Sequence, residues 1–216
     1  MKTLTISLCT AALLTVSAVA NAGTIGGASC GSCFGSTYTL TDTPTGTANQ
    51  YDIFLTIDAT GYNQTSTDLL NAVALKLVSS DSEISSVSLL SAPAGYSNPV
   101  LLGGLDAGGC SGTLDGYFCD PYTGSGFGKQ VAHSGDVYNF EWLLTLTSGS
   151  SLLTTDSVKA LYVTSAGQQH GITSEDITLT PTPPTATPEP SSLALFGTGI
   201  LGIATIIRRR VQLPRI

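Results

Sequence analysis

The sequence predicts a mainly β protein, an antiparallel two-sheet β-sandwich of jelly-roll-like or immunoglobulin-like kind. A signal helix precedes it and one transmembrane helix follows it. Three observations carry this reading. Apolar residues in the middle of the chain recur with a period of two, which is the pleat of a half-buried strand. Clusters of Gly, Pro, Asn and Asp separate the alternating runs. Two long uncharged apolar stretches lie at the two ends.

At the N-terminus Lys2 is followed by a mostly apolar run from Leu4 to Val19 and then by Ala20-Asn21-Ala22, a small-x-small site before Gly23. Charged, apolar and small segments in that order make a secretory signal peptide over 1–22, so the secretion machinery is the first expected partner. Cys9 follows Leu8 with no small residue there, which argues against a lipid anchor.

The domain expected over 23–179 reads as seven or eight strands. Tyr51, Ile53, Leu55 and Ile57 alternate with Asp52, Phe54, Thr56 and Asp58, and Val73, Leu75 and Leu77 alternate with Ala74 and Lys76. Tyr138, Phe140, Trp142, Leu144 and Leu146 form the longest apolar face. Shorter candidates are Tyr38–Thr41, Ser86–Leu90, Lys159–Thr164 and Ile177–Thr180, with turns at Thr43-Pro44-Thr45-Gly46, Pro93-Ala94-Gly95 and Ser148-Gly149-Ser150. One short helix is expected near Ser66–Leu70. Phe140 and Trp142 are assigned to the core, each worth roughly 1.5–3 kcal/mol on burial.

Composition excludes one class of function. From Gly23 to Pro188 there are three lysines, Lys76, Lys129 and Lys159, against 14 carboxylates, a net −11 compared with −7 for the whole chain. A surface so acidic repels phosphate backbones, so nucleic acid is not a partner.

Four cysteines remain after signal removal: Cys30, Cys33, Cys110 and Cys119. An even count in an exported chain reads as disulfides. Of the three pairings, the local one, Cys30–Cys33 with Cys110–Cys119, is expected. Zinc is disfavoured, because Cys110 and Cys119 do not form a second short pair. Redox catalysis is disfavoured too, because Cys30-x-x-Cys33 lies among Gly, Ser and Thr rather than where a strand enters a helix.

The stretch from Gly103 to Gly128 reads as a long glycine-rich loop containing Asp106, Asp115, Tyr117, Asp120 and Tyr122. Such a loop suits ligand recognition, with aromatics stacked on sugar rings and carboxylates accepting hydroxyl hydrogen bonds or holding calcium. The plainer reading is a surface loop that needs its disulfide. The acids do not follow a calcium-loop spacing, so no cofactor or metal ligand set is assigned and calcium stays a secondary expectation.

Catalytic motifs are sparse. The two histidines are His133 and His170, and no Gly-x-Ser-x-Gly elbow, His-Glu-x-x-His pair or phosphate loop occurs. His133-Ser134-Gly135-Asp136 has triad residue types, but a triad converges in space rather than in sequence, and this segment reads as a turn before Val137. The chain is read as no enzyme. A polysaccharide hydrolase with paired carboxylates is the least favoured alternative.

Thr180 to Pro188 holds four Thr and four Pro in nine residues, a polyproline II linker (180–187) of roughly 28 Å with the first proline of the next motif included. Next come Pro188-Glu189-Pro190, an uncharged helix over 191–207 and a basic tail over 208–216 with Arg208, Arg209 and Arg210. The helix has 17 residues, about 26 Å, at the short edge of a membrane span. Its arginines act as a basic stop-transfer cluster on the cytoplasmic side.

These three pieces in order resemble the PEP-CTERM sorting signal of Gram-negative bacteria that make exopolysaccharide. The resemblance covers 188–216 and its immediate approach. It implies an inner-membrane-anchored precursor, an exosortase-like membrane protease acting near Pro188-Glu189-Pro190, and release to the cell surface or extracellular matrix. It constrains processing and says little about the central domain; taken with the acidic sandwich and the absence of catalytic motifs, it leads to the expectation of a structural or adhesive protein of a biofilm, with exopolysaccharide as a partner. A carbohydrate- or calcium-binding module using 103–128 is the alternative.

Overall fold

A computed structural model of the chain describes residues 19–26, 30–65, 67–131 and 136–182. The signal helix up to residue 18, Pro188-Glu189-Pro190, the transmembrane helix at 191–207 and Arg208, Arg209 and Arg210 lie outside the described residues. Among the described residues no helix is long and apolar enough to cross a membrane.

The strands, in chain order, are β1 (Asn21–Gly26), β2 (Thr37–Pro44), β3 (Gln50–Asp58), β4 (Leu69–Lys76), β5 (Ile84–Ser91), β6 (Leu101–Leu102) and β7 (Gly104–Asp106). There follow β8 (Gly109–Gly112), β9 (Tyr117–Pro121), β10 (Lys129–Gln130), β11 (Val137–Leu146), β12 (Thr155–Val163), β13 (Gln169–Thr178) and β14 (Thr180–Pro181). One antiparallel sheet runs β14-β1-β2-β3-β11-β5. The second runs β13-β12-β4-β9-β6, with β10 also paired to β4, and β7 and β8 form a separate hairpin. The mainly β, antiparallel expectation holds, and the two sheets pack as a sandwich.

The period-two pattern produces the core directly. Tyr38 and Leu40 of β2, Ile53, Leu55 and Ile57 of β3, and Phe140, Trp142 and Leu144 of β11 turn inward from the first sheet. Leu70, Val73 and Leu75 of β4, Phe118 of β9, and Val158, Ala160 and Tyr162 of β12 meet them from the second. Phe140 and Trp142 stack with ring centroids 5.4 Å apart, and Phe118 meets Trp142 edge-on at 5.4 Å. Offset and edge-on geometries of this kind add to the burial energy of the rings.

Three expectations differ from the structure. Thr180 and Pro181, expected to open the polyproline II linker over 180–187, instead form β14 and pair with β1, because Asn21 and Ala22 offer them a free strand edge. Of the helix expected near Ser66–Leu70, the described residues 67–70 form none: Thr67 lies in a turn and Leu69 and Leu70 open β4. Asp68 explains this, because its carboxylate accepts from the Thr65 N–H at 3.2 Å and from Thr65 Oγ1 at 2.7 Å, which closes a turn instead of a helix. The stretch 103–128 is not a structureless loop, since it contains β7, β8, β9 and the pairing of Cys119 with Ala74 in the second sheet.

Candidate functional site

The outer face of the second sheet is unusual in being apolar. An antiparallel sheet normally wets one face. Here Ala72 and Ala74 of β4, Tyr117 and Cys119 of β9, and Leu161 and Val163 of β12 form a second small core on the outside. The β7–β8 hairpin covers them and inserts Leu105, which is 1% exposed. The Cys110–Cys119 disulfide ties the hairpin to β9. Asp106 Oδ1 accepts from the Gly108 N–H at 2.7 Å, which sets the turn, and Gly109 completes it at φ 101°, a conformation that favours glycine. Cys30 and Cys33 form the other disulfide, so the local pairing is the one observed.

A groove of about 500 Å³ runs between this hairpin and strands β12 and β13. Leu105, Leu114 and Ile172 give it apolar walls, and Asp106, Thr113, Lys159, Gln169 and Ser174 give it polar groups. Lys159 is its fixed point. The Lys159 ammonium donates to the Leu105 carbonyl at 3.4 Å and sits 5.2 Å above the Tyr117 ring centroid. Burial lowers its pKa, and the Asp106 charge opposes that shift. Lys76 lies 5.7 Å from the same ring. The two ammonium groups therefore occupy the Tyr117 ring, which serves as a cation–π support rather than a sugar-stacking platform. One cation, one carboxylate, an amide and two hydroxyls between aliphatic walls can hydrogen-bond a neutral, hydroxyl-rich ligand.

The residues singled out from 103–128 do not converge. Asp106 lines the groove and Tyr117 lies beneath it. Asp115 sits elsewhere and exchanges backbone bonds with the Asp81 turn: it accepts from the Asp81 N–H at 2.6 Å while Asp81 accepts from Gly116 at 2.7 Å. The hydrogen bond from the Asp81 backbone holds the Asp115 carboxyl below its ordinary range. Asp120 turns into the main core and accepts from Trp142 Nε1 at 3.1 Å. Tyr122 packs edge-on against Tyr96 at 5.5 Å and covers Gly95, where a side chain would meet its ring at 2.0 Å. Among the described residues no cluster of three or more His, Cys, Asp or Glu is arranged to hold a metal ion.

Sequence reasoning missed the β12–β13 side of the groove. The signal was present: Ala160-Leu161-Tyr162-Val163 and Ala72-Val73-Ala74-Leu75 are continuously apolar, which marks strands covered on both faces. It also missed a cluster around Asp68. His170 Nδ1 lies 2.5 Å from Asp68 Oδ2, and Tyr62 donates to the same oxygen at 2.7 Å. Burial alone would raise the Asp68 pKa, but the hydrogen bonds from Thr65, Tyr62 and His170 hold it below the ordinary value. His133, the other histidine, lies outside the described residues.

No curated protein matches the chain. Residues 186–210 match the PEP-CTERM protein-sorting motif, which implies an exported protein processed by an exosortase membrane protein.

Proposed function

We propose that this chain is a non-catalytic structural or adhesive protein of the cell surface or extracellular matrix, associated with exopolysaccharide. The observation that carries the reading is the sorting motif at 186–210. The acidic, disulfide-tied sandwich supports it, because stable packing and strong negative charge suit a module that persists in a hydrated matrix. In this reading the segment at 191–207 anchors the precursor, and exosortase cleavage near Pro188-Glu189-Pro190 releases it. The test is fractionation of an exosortase-bearing, exopolysaccharide-producing host. The chain is expected in the matrix fraction, with less biofilm when its gene is deleted. A freely soluble product with unchanged biofilm rejects the reading.

The groove beside the β7–β8 hairpin favours a second reading, a carbohydrate-binding module. Asp106 would accept ligand hydroxyls, Lys159 and Gln169 would donate, and Leu114 and Ile172 would cover the apolar face of a sugar ring. Glycan-array binding with and without calcium tests it. Binding that is lost in Lys159→Ala and Asp106→Asn supports the groove, and dependence on calcium would make the ion a cofactor. Binding that is unaffected by both substitutions places the site elsewhere.

A further inference from the structure

Asp42 and Asp156 face the interior from opposite sheets. Asp42 continues the inward row of Tyr38 and Leu40 on β2, and Asp156 begins the inward row of Val158 and Ala160 on β12. Each is 1% exposed. Burial pushes both carboxyls up, and the Asp42 charge pushes Asp156 further. Their hydrogen bonds are unequal. Asp42 Oδ1 accepts from Asn21 Nδ2 at 2.7 Å, and Asn21 stands directly opposite Asp42 in the β1–β2 pairing. Neither Asp156 oxygen has a partner, and among the described residues no lysine pairs with either acid. Two buried carboxylates without a cation are costly, so the site favours a positive charge.

Asn21, which supplies the Asp42 donor, stands at the signal-peptide junction. Two small-x-small sites overlap there: Ala18-Val19-Ala20 before Asn21, and Ala20-Asn21-Ala22 before Gly23. Both satisfy the export rule. The fold separates them. Cleavage before Gly23 deletes Asn21 and Ala22, the residues of β1 that pair with Asp42 and Thr41 on one side and with Pro181 and Thr180 on the other. Strand β14 then loses its partner, and Asp42 loses its Asn21 donor. Cleavage before Asn21 keeps these pairings and places a charge on the residue that stands opposite Asp42 and whose side chain already bonds to it.

We propose that the signal peptide is removed between Ala20 and Asn21, and that the resulting Asn21 α-ammonium is the counter-charge of the buried Asp42–Asp156 pair. The peptidase of the export machinery adds water across the Ala20–Asn21 peptide bond. The released peptide carries the new carboxylate at Ala20, and the domain carries the new amine, which is protonated beside Asp42. A charge-assisted bond to a buried carboxylate is stronger than a neutral one. Cleavage removes the Ala20 carbonyl, which accepts from Thr182 N–H at 2.9 Å and Thr182 Oγ1 at 2.6 Å. Thr182 is exposed, so water takes over those bonds. Processing thus completes the fold: the precursor has an unmatched acid pair, and the mature domain has an ion pair. The proposal rests on export of the chain and is independent of what the groove binds.

The test starts with the exported protein, purified from a Gram-negative host and read by N-terminal sequencing and intact mass. Asn21 is expected as the first residue, and Gly23 in that place overturns the cleavage assignment. The ion pair is tested on the same protein with its α-amine acetylated at a pH where lysines stay protonated, then refolded with its disulfides intact. Acetylation is expected to lower Tm by about 5 °C or more. An unchanged Tm overturns the ion pair. In Asp42→Asn the effect of acetylation is expected to vanish. An undiminished effect there means that the ammonium acts elsewhere and also overturns the assignment.

Discussion

The phenol oxygens of Tyr38 and Tyr162 lie 2.6 Å apart across the sandwich interior, joining β2 of one sheet to β12 of the other. Tyr38 bonds also to Thr173 Oγ1 at 2.9 Å, which brings in β13, and Thr173 in turn donates to the Ser32 carbonyl at 3.0 Å, in the Cys30–Cys33 loop. Burial raises the pKa of both phenols, so they stay neutral donors at any physiological pH. Tyr38→Phe keeps the ring and removes two of these bonds, leaving buried partners short of hydrogen bonds. The expected loss is about 1–3 kcal/mol, read as a Tm lower by about 3–8 °C. Melting at the wild-type temperature would show that the network carries no stability.

Phe140 and Trp142 neighbour each other on the same face of β11 and reach Tyr96 and Phe118 across the core. Truncation leaves a cavity that the strands on either side cannot close. Phe140→Ala and Trp142→Ala should each lose about 3–5 kcal/mol in a denaturant titration, enough to unfold a marginally stable domain. A loss below about 1 kcal/mol in both would remove these rings from the centre of the core.

Asp120 gives the sandwich a pH dependence. Burial pushes its carboxyl up to about 6 from 3.8, only partly opposed by the hydrogen bond from Trp142. A raised acid keeps its proton in the folded state over a range where the unfolded chain has released it. Its contribution is therefore complete at about pH 4 and lost as pH rises through about 6, a total of about 3 kcal/mol. Asp42 and Asp156 have the same sign, but an Asn21 ammonium reduces their share. Chemical denaturation across this range should show stability falling as pH rises, with a flatter profile in Asp120→Asn. A profile as steep in Asp120→Asn as in wild type would assign the titration to another group.

The Cys110–Cys119 bridge closes a loop of about ten residues and holds the β7–β8 hairpin over the outer apolar patch. Replacing both cysteines by serine should lower stability by about 2–3 kcal/mol. It should also make the hairpin the first place cut by a protease, because little else fastens it. Cleavage first at another loop, with the hairpin intact, would show that Leu105 packing alone suffices.

The main core was legible from alternation. The runs at Tyr51–Asp58 and Tyr138–Leu146 became β3 and β11, paired with each other from Tyr51 against Leu144 to Asp58 against Val137. The local disulfide pairing was legible from spacing and compartment. Tertiary contacts hid the rest. The stretch Ser66–Leu70 read as a short helix because the bonds from Thr65 to the Asp68 carboxylate, which oppose one, are side-chain bonds that no hydrophobic period reveals. The groove stayed unseen because one side of it comes from β12 and β13, at Lys159 to Ser174, far along the chain from Asp106. Asp120 and Tyr117 looked like ligand contacts by residue type. Strand parity instead turns Asp120 toward Trp142 and Tyr117 toward two lysines.

The sorting motif is tested most directly by the C-terminus of the released product. The full chain is expressed in a host with an active exosortase, and the extracellular form is analysed by intact mass and C-terminal peptide mapping. The expected product ends close to Pro188-Glu189-Pro190 and lacks the helix at 191–207 together with Arg208, Arg209 and Arg210. A chain that keeps its arginine tail and stays in the membrane fraction of that host would contradict exosortase processing and leave the tail an ordinary anchor.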